Sequence, residues 1–146
     1  MTTGRRRLRI DADLGRLADV RELVREVAAS SEAPPACMDD LVQAVDEAAS
    51  NVIRHGYGGT PGWIDVTAEL VGDRIVVTLE DEAAPFDPTT VPEPDLTVPP
   101  ERRRAGGMGI HLIRQAMDEF EHSARPGGGN ILTMARRLDP RLKKER

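Results

Sequence analysis

Asp46-Glu-Ala-Ala-Ser-Asn-Val-Ile-Arg-His-Gly-Tyr57, taken with the residues leading into it, decides the fold. Leu41, Val42, Val45, Ala48, Ala49, Val52 and Ile53 recur at spacings of three and four, which is one apolar face of a helix. Asp39 and Asp40 suit the positively polarised start of that helix, and Gly56 or Gly58-Gly59 marks its end. On the polar side, Glu47 and Asn51 lie four residues apart, so they project together about one turn from each other. Alone, such a pair is an ordinary solvated face. Its neighbours in the chain give it meaning.

Upstream, Leu8 and Ile10 alternate with charged residues as in a short edge strand. Leu14, Leu17, Val20, Val24 and Val27 then take up helical spacing, which Pro34-Pro35 ends. Downstream, Ile64, Val66, Ala68 and Leu70 alternate, as do Ile75, Val77 and Leu79. Gly72-Asp73 between these runs signals a β-hairpin. Residues 83 to 106 follow no periodicity and carry prolines at 85, 88, 92, 94, 99 and 100; a loop of that length within a small domain is usually functional or disordered. From Gly109 the helical period resumes through Ile110, Ile113, Met117 and Phe120, and after Gly127-Gly128-Gly129 a last strand runs from Ile131 to about Leu138. The order predicts a two-layer α/β sandwich, with helices covering one face of a mixed, mainly antiparallel sheet. The domain is expected over residues 8–138, with flexible tails at 1–7 and 139–146.

The 146 residues suffice for one domain with one core, and 39% are hydrophobic and 31% charged. Aromatics are only 3%, so Leu, Val, Ile, Ala and Met must build the core. A net charge of -5 argues against a broad nucleic-acid surface, which needs Lys and Arg gathered on one face. Arg5 to Arg7 and the basic tail from Arg136 to Arg146 read as solvated ends. The single Cys37 excludes an intramolecular disulfide. With no signal-peptide pattern and no stretch of roughly 20 apolar residues, a cytoplasmic location without membrane contact is expected.

Two further features belong with Glu47 and Asn51. Asp81 ends the second hairpin strand beside small residues, where a carboxylate can accept a hydrogen bond from an exocyclic amine. Gly106-Gly107-Met108-Gly109 opens the last helix, so backbone N–H groups there can approach phosphate oxygens without Cβ obstruction, and the helix dipole favours the anion. His55, His111 and His122 are too dispersed for a metal site and read as structural or surface residues. Trp63 reads as core or interface, and neither a Ser-His-Asp arrangement nor a Gly-x-x-x-x-Gly-Lys phosphate loop is present.

Order and separation of these motifs resemble the family that shares an ATP-binding fold with histidine kinases, DNA gyrase, the Hsp90 chaperone and MutL. Glu47-Ala-Ala-Ser-Asn51, Asp81-Glu-Ala-Ala-Pro-Phe86, the stretch 87 to 105 and Gly107-Met-Gly109 stand where that family has its acidic helix, its Asp-x-Gly-x-Gly motif, its lid and its Gly-x-Gly helix start. Pro85-Phe-Asp-Pro88 and Gly129-Asn-Ile-Leu-Thr-Met134 sharpen the likeness towards the bacterial anti-sigma-factor serine kinases. The resemblance implies a histidine-kinase-like ATPase (Bergerat) fold over essentially residues 8 to 138, with ATP and Mg²⁺ as ligands. It assigns Asn51 to Mg²⁺, and Glu47 to general base. Asp81 is assigned to the adenine amine, with Thr133 as a second contact nearby. Phosphates go to the amides around Gly107 and Gly109, and an arginine of the 102 to 104 run, taken as Arg104, to the γ-phosphate.

The resemblance further implies a protein serine/threonine kinase that sequesters an RNA polymerase sigma factor and phosphorylates a STAS-type antagonist, and a homodimer. One departure bears on nucleotide affinity: Ala83 stands where the family usually has glycine, adding a Cβ where backbone and purine approach. It keeps open a non-catalytic, ATP-binding sequestering module. A sensor-histidine-kinase catalytic domain would need a dimerisation helix pair with an acceptor histidine, for which the residues before Leu8 leave no room.

Overall fold

A computed structural model describes residues 4–99, 101 and 107–138. The elements run β1 (Arg6–Asp11), α1 (Leu17–Ser30), α2 (Pro35–Asn51), β2 (Trp63–Val71), β3 (Arg74–Asp81), α3 (Gly107–Ala116), β4 (Glu119–Ala124) and β5 (Asn130–Arg137). Short 3-10 turns at Leu14–Arg16 and Pro88–Thr90, and a π-helical turn at Val52–Tyr57, complete the set. The sheet order is β1-β2-β3-β5-β4. Every neighbouring pair is antiparallel, so the expected mixed sheet is corrected to a wholly antiparallel one. The expected domain start at Leu8 falls within β1. Residues 1–3 and 139–146 of the expected tails lie outside the described residues.

Alternation along the strands assigns the two faces. Leu8 and Ile10, Ile64 and Val66, Val77 and Leu79, and Leu132 and Met134 occupy the same face across the ladders. Against them pack Val20, Val24 and Val27 of α1 and Leu41, Val45 and Ala49 of α2, all fully or almost fully buried. Each buried Val, Leu or Ile side chain contributes about 1.5–3 kcal/mol of apolar transfer. The hairpin expected between β2 and β3 forms with Val71 opposite Arg74, and Gly72 supplies the positive φ of 63° at the first turn position.

Several sequence expectations change. Pro35 is the first residue of α2, where its missing N–H costs nothing, so Asp39 and Asp40 lie in the second turn. Asp40 instead pairs with Arg136 at 3.1 Å, and Asp118 with Arg137 at 2.9 Å, so the start of the basic tail belongs to β5. The helix expected through Phe120 stops at Ala116, and Glu119–Ala124 form the edge strand β4. Its parity explains this: Phe120 and His122 turn to the helix-covered face, while Glu119 and Glu121 stay outside.

The other sheet face is held by charge. Asp65, 6% exposed, takes bonds from Arg9 at 2.6 and 2.9 Å and from Arg7 at 3.1 Å, so Arg7 is anchored rather than loose. The Arg9 guanidinium also lies 4.1 Å over the Trp63 ring, with that of Arg125 at 5.0 Å. No helix among the described residues is long and apolar enough to cross a membrane.

Hydrogen bonds from Arg9, reinforced by Arg7 against the cost of burial, hold the Asp65 carboxyl below the usual carboxylate range. A carboxyl depressed on folding adds stability above its unfolded pKa of about 3.9 and loses it as pH falls towards the lower folded value. Asp65→Asn is therefore expected to cost about 1 kcal/mol at pH 7. In thermal melts, the gap between variant and wild type should close as pH falls below about 4; a gap independent of pH would refute this role.

Candidate functional site

A cavity of about 410 Å³ opens between the C-terminal half of α2, α3, the end of β3 and the strands β4 and β5. That volume is in the range of small-molecule sites. Its walls are mostly apolar, with Ala48, Val52, Ile110, Ile113 and Leu132 among them. Asn51, His55, Asp81, His122 and Asn130 contribute the polar groups.

Tyr57 fixes the geometry between helix and sheet. Its hydroxyl donates to the Trp63 carbonyl at 2.7 Å and accepts from the Glu82 N–H at 3.0 Å. The turn that follows α2 is thereby tied to the start of β2 and to the residue after Asp81. Burial pushes the Tyr57 phenol up, so it stays protonated and keeps its donor. Gly58, at φ 58°, closes the π-helical turn in the left-handed conformation.

Asp81 is almost wholly buried, at 2% exposure. Its Oδ1 accepts from the Ala83 N–H at 2.9 Å and from Asn130 Nδ2 at 3.0 Å. No donor among the described residues reaches Oδ2, which is left for a ligand's N–H. Gly129 lies across from it with φ 115°, and a Cβ there would run into the Asp81 carbonyl, so only glycine lets β5 start this close.

Glu47 and Asn51 share one side of α2 and meet the start of α3. A Cβ built on Gly109 would lie 2.8 Å from Glu47 Oε2 and 3.7 Å from Asn51 Nδ2. Three sequence motifs therefore converge: the acidic and asparagine positions of α2, the glycine start of α3, and Asp81 across the cavity. Asn51 lines the cavity and Glu47 lies one turn back, beside Gly109. Gly107 begins α3; Arg104 and the rest of 102–106 lie outside the described residues.

Thr133 does not join them. It pairs with Thr78 and Glu121, one residue out of phase with Leu132 and Asn130, so it belongs to the sheet face away from the cavity. The polar side chain of β5 that reaches Asp81 is Asn130, which the sequence reading missed along with its partner His122 at 2.8 Å. The signal was the pairing register, which sets Asn130 opposite Asp81. His122, taken from the sequence as structural or surface, lines the cavity. His55 does so too.

Ala83, the departure from the family pattern, is 6% exposed and forms part of the wall. Its methyl has room because residue 56 is glycine: a Cβ there would stand 3.1 Å from the Ala83 Cβ. Hydrogen bonds hold the first turn of the loop that follows. Asp87 Oδ1 accepts from the Thr89 amide and hydroxyl at 2.8 and 2.5 Å, which holds the Asp87 carboxyl below its usual range. Arg114 of α3 donates to the Thr89 carbonyl at 2.6 Å and fastens the turn against the helix.

The arrangement can take a flat, amine-bearing ring against apolar walls, with an anionic tail directed at the α3 start. Comparison with known proteins agrees. Residues 10–136 match the family described as the histidine kinase-like ATPase domain. The anti-sigma F factor of Thermoanaerobacter sp. is 35% identical over 98 residues, covering 66% of this chain and 68% of that protein. The serine-protein kinase RsbW of Bacillus mycoides is 28% identical over 88 residues, covering 58% of this chain and 55% of that protein. A crystal structure of the RsbU and RsbW domains of a Mycobacterium tuberculosis protein superposes with a TM-score of 0.66 at 22% identity, covering 92% of this chain and 32% of that one. The antiparallel sheet with helices on one face, the cavity with its converging motifs and a match over most of the length lead to one conclusion: this chain belongs to the histidine kinase-like ATPase domain family.

Proposed function

We propose that this chain is an ATP-dependent anti-sigma factor that phosphorylates a serine or threonine of a STAS-type antagonist. The observation that carries the proposal is the closeness of Glu47 and Asn51 to Gly109 at the start of α3, with Asn51 and Asp81 both lining the cavity. The Glu47 carboxylate, without a hydrogen-bond partner among the described residues, supports the reading of Glu47 as the group that meets the acceptor hydroxyl. The names of the related proteins, anti-sigma F factor and serine-protein kinase RsbW, supply the substrate class.

In this reading Asp81 Oδ2 accepts from the adenine amine, and the apolar walls exclude water from the purine. The amides at the start of α3, around Gly107 and Gly109, receive the phosphates, aided by the helix dipole. Glu47 takes the proton of the acceptor hydroxyl as its oxygen bonds to the γ-phosphorus and the bond from that phosphorus to the bridging oxygen breaks, releasing ADP. Arg104, outside the described residues, is proposed to add positive charge at the γ-phosphate.

The donor set suits Mg²⁺, which prefers oxygen ligands and commonly takes most of them from phosphates and water. Asn51 offers one amide oxygen, and among the described residues no cluster of three or more His, Cys, Asp or Glu forms a metal site of its own. Asn51 would therefore hold an ion that arrives with the nucleotide and offsets phosphate charge.

The acceptor gains about 1.5–2 negative charges on phosphorylation, which would break its complex with the kinase and free the kinase for the sigma factor. A homodimer working in the cytoplasm is part of the same proposal. A second reading, a non-catalytic ATP-binding module that sequesters partners, draws on the Ala83 methyl in the cavity wall.

Intact-mass measurement of a STAS-type protein incubated with Mg-ATP separates the two. Wild type should add one phosphate, and Glu47→Gln should transfer about 100-fold more slowly or worse while binding ATP unchanged. Wild type that binds ATP and transfers nothing would leave the sequestering module. Asp81→Asn, which places a donor or a neutral oxygen where the carboxylate stands, is expected to weaken ATP binding about tenfold; titration calorimetry showing undiminished affinity would remove Asp81 from adenine recognition.

A further inference from the structure

We propose that Asn130, held in turn by His122, is a positioning residue that presents the Asp81 carboxylate to a base carrying an exocyclic amine, and so sets the preference of the site among nucleotides. The inference rests on the reading of the cavity as a nucleotide site.

Asn130 is 8% exposed, and both ends of its amide are engaged. Oδ1 accepts from the Phe86 N–H at 2.9 Å and lies 2.8 Å from His122 Nε2. Nδ2 donates to Asp81 Oδ1 at 3.0 Å and to the Ala84 carbonyl at 3.2 Å. The orientation is unambiguous. A flipped amide would turn its NH2 against the Phe86 N–H and its carbonyl against the Asp81 carboxylate and the Ala84 carbonyl, losing all three of those bonds.

His122 reinforces this orientation from β4. Its Nε2 faces an acceptor that already serves the Phe86 N–H, so Nε2 must carry a proton. At the other end, the Ala83 N–H and Asn130 Nδ2 converge on Oδ1 of Asp81 and fix the rotation of its carboxyl group. A carboxyl rotor is otherwise broad. Fixing it aims Oδ2 in one direction, which rewards a ligand N–H in that direction and nothing else.

The same amide that aims the carboxylate also clasps the first turn of the loop over the cavity, through Phe86 and Ala84. Recognition of the base and placement of the loop's root therefore depend on one side chain.

The test compares ATP with purine riboside 5′-triphosphate, which lacks the exocyclic amine, by titration calorimetry on the full chain. Wild type should prefer ATP. Asn130→Ala and His122→Leu should each shrink that preference about threefold to tenfold, the scale of one hydrogen bond, with the loss falling on ATP. His122→Gln, whose amide supplies an N–H, should restore most of it. General damage to the cavity would weaken both nucleotides together and leave their ratio alone. An unchanged ratio in His122→Leu overturns the inference, even if Asn130→Ala proves unable to fold. A wild type that binds neither nucleotide overturns the nucleotide reading of the cavity and the inference with it, whereas one that binds both equally overturns the inference alone.

Discussion

The hydroxyl of Tyr57 joins three pieces of chain that would otherwise be independent. By donating to Trp63 and accepting from Glu82, it ties the turn after α2 to the entry of one strand and the exit of the next. The helix brings Glu47 and Asn51, and the strand exit brings Asp81; that link braces their separation in addition to the packing of α2 on the sheet. Gly62 is the matching concession, since any Cβ there would overlap the Tyr57 ring. The site is thus carried by the ends of regular elements, with a buried phenol as the brace between layers.

Around this brace the two faces of the sheet work by different physics. The helix-covered face is aliphatic and interlocks by shape, which accords with a chain so poor in aromatics. The open face relies on Asp65 between two arginines and on an indole stacked by guanidinium groups. The cavity forms where the aliphatic layer runs out, so its walls are core side chains and its polar groups are those that strand ends and helix ends bring in. An apolar pocket with few polar groups follows from that location.

Much of this was legible in the sequence because the signals were local. The apolar stripe of α2, the alternation of β2 and β3 and the Gly-Asp turn each lie within one stretch of chain, and they appear as expected. Glu47, Asn51 and Gly109 could be paired in advance because helical spacing and a recognisable motif order placed them. What could not be read was cross-strand register. Phe120 fits a helical period after Met117 as well as it fits the alternation of β4, and local spacing cannot decide between them. Thr133 and Asn130 are three residues apart, yet strand parity sends them to opposite faces. The partnership of Asn130, Asp81 and His122 exists only once β5 has entered between β3 and β4.

That insertion has a consequence for how the domain reaches its native state. The bond from Asn130 to Asp81 joins residues 49 apart in the chain, whereas the β2–β3 hairpin closes over a two-residue turn. Closing the longer separation costs more chain entropy, and the central ladder of the sheet cannot form until that cost is met. The pairing of Asn130 with Asp81 is therefore a property of the completed sheet rather than of the hairpin. A ligand seated against Asp81 and Asn130 would draw on the long-range pairing of β3 with β5, so its binding would stabilise the domain as a whole against unfolding.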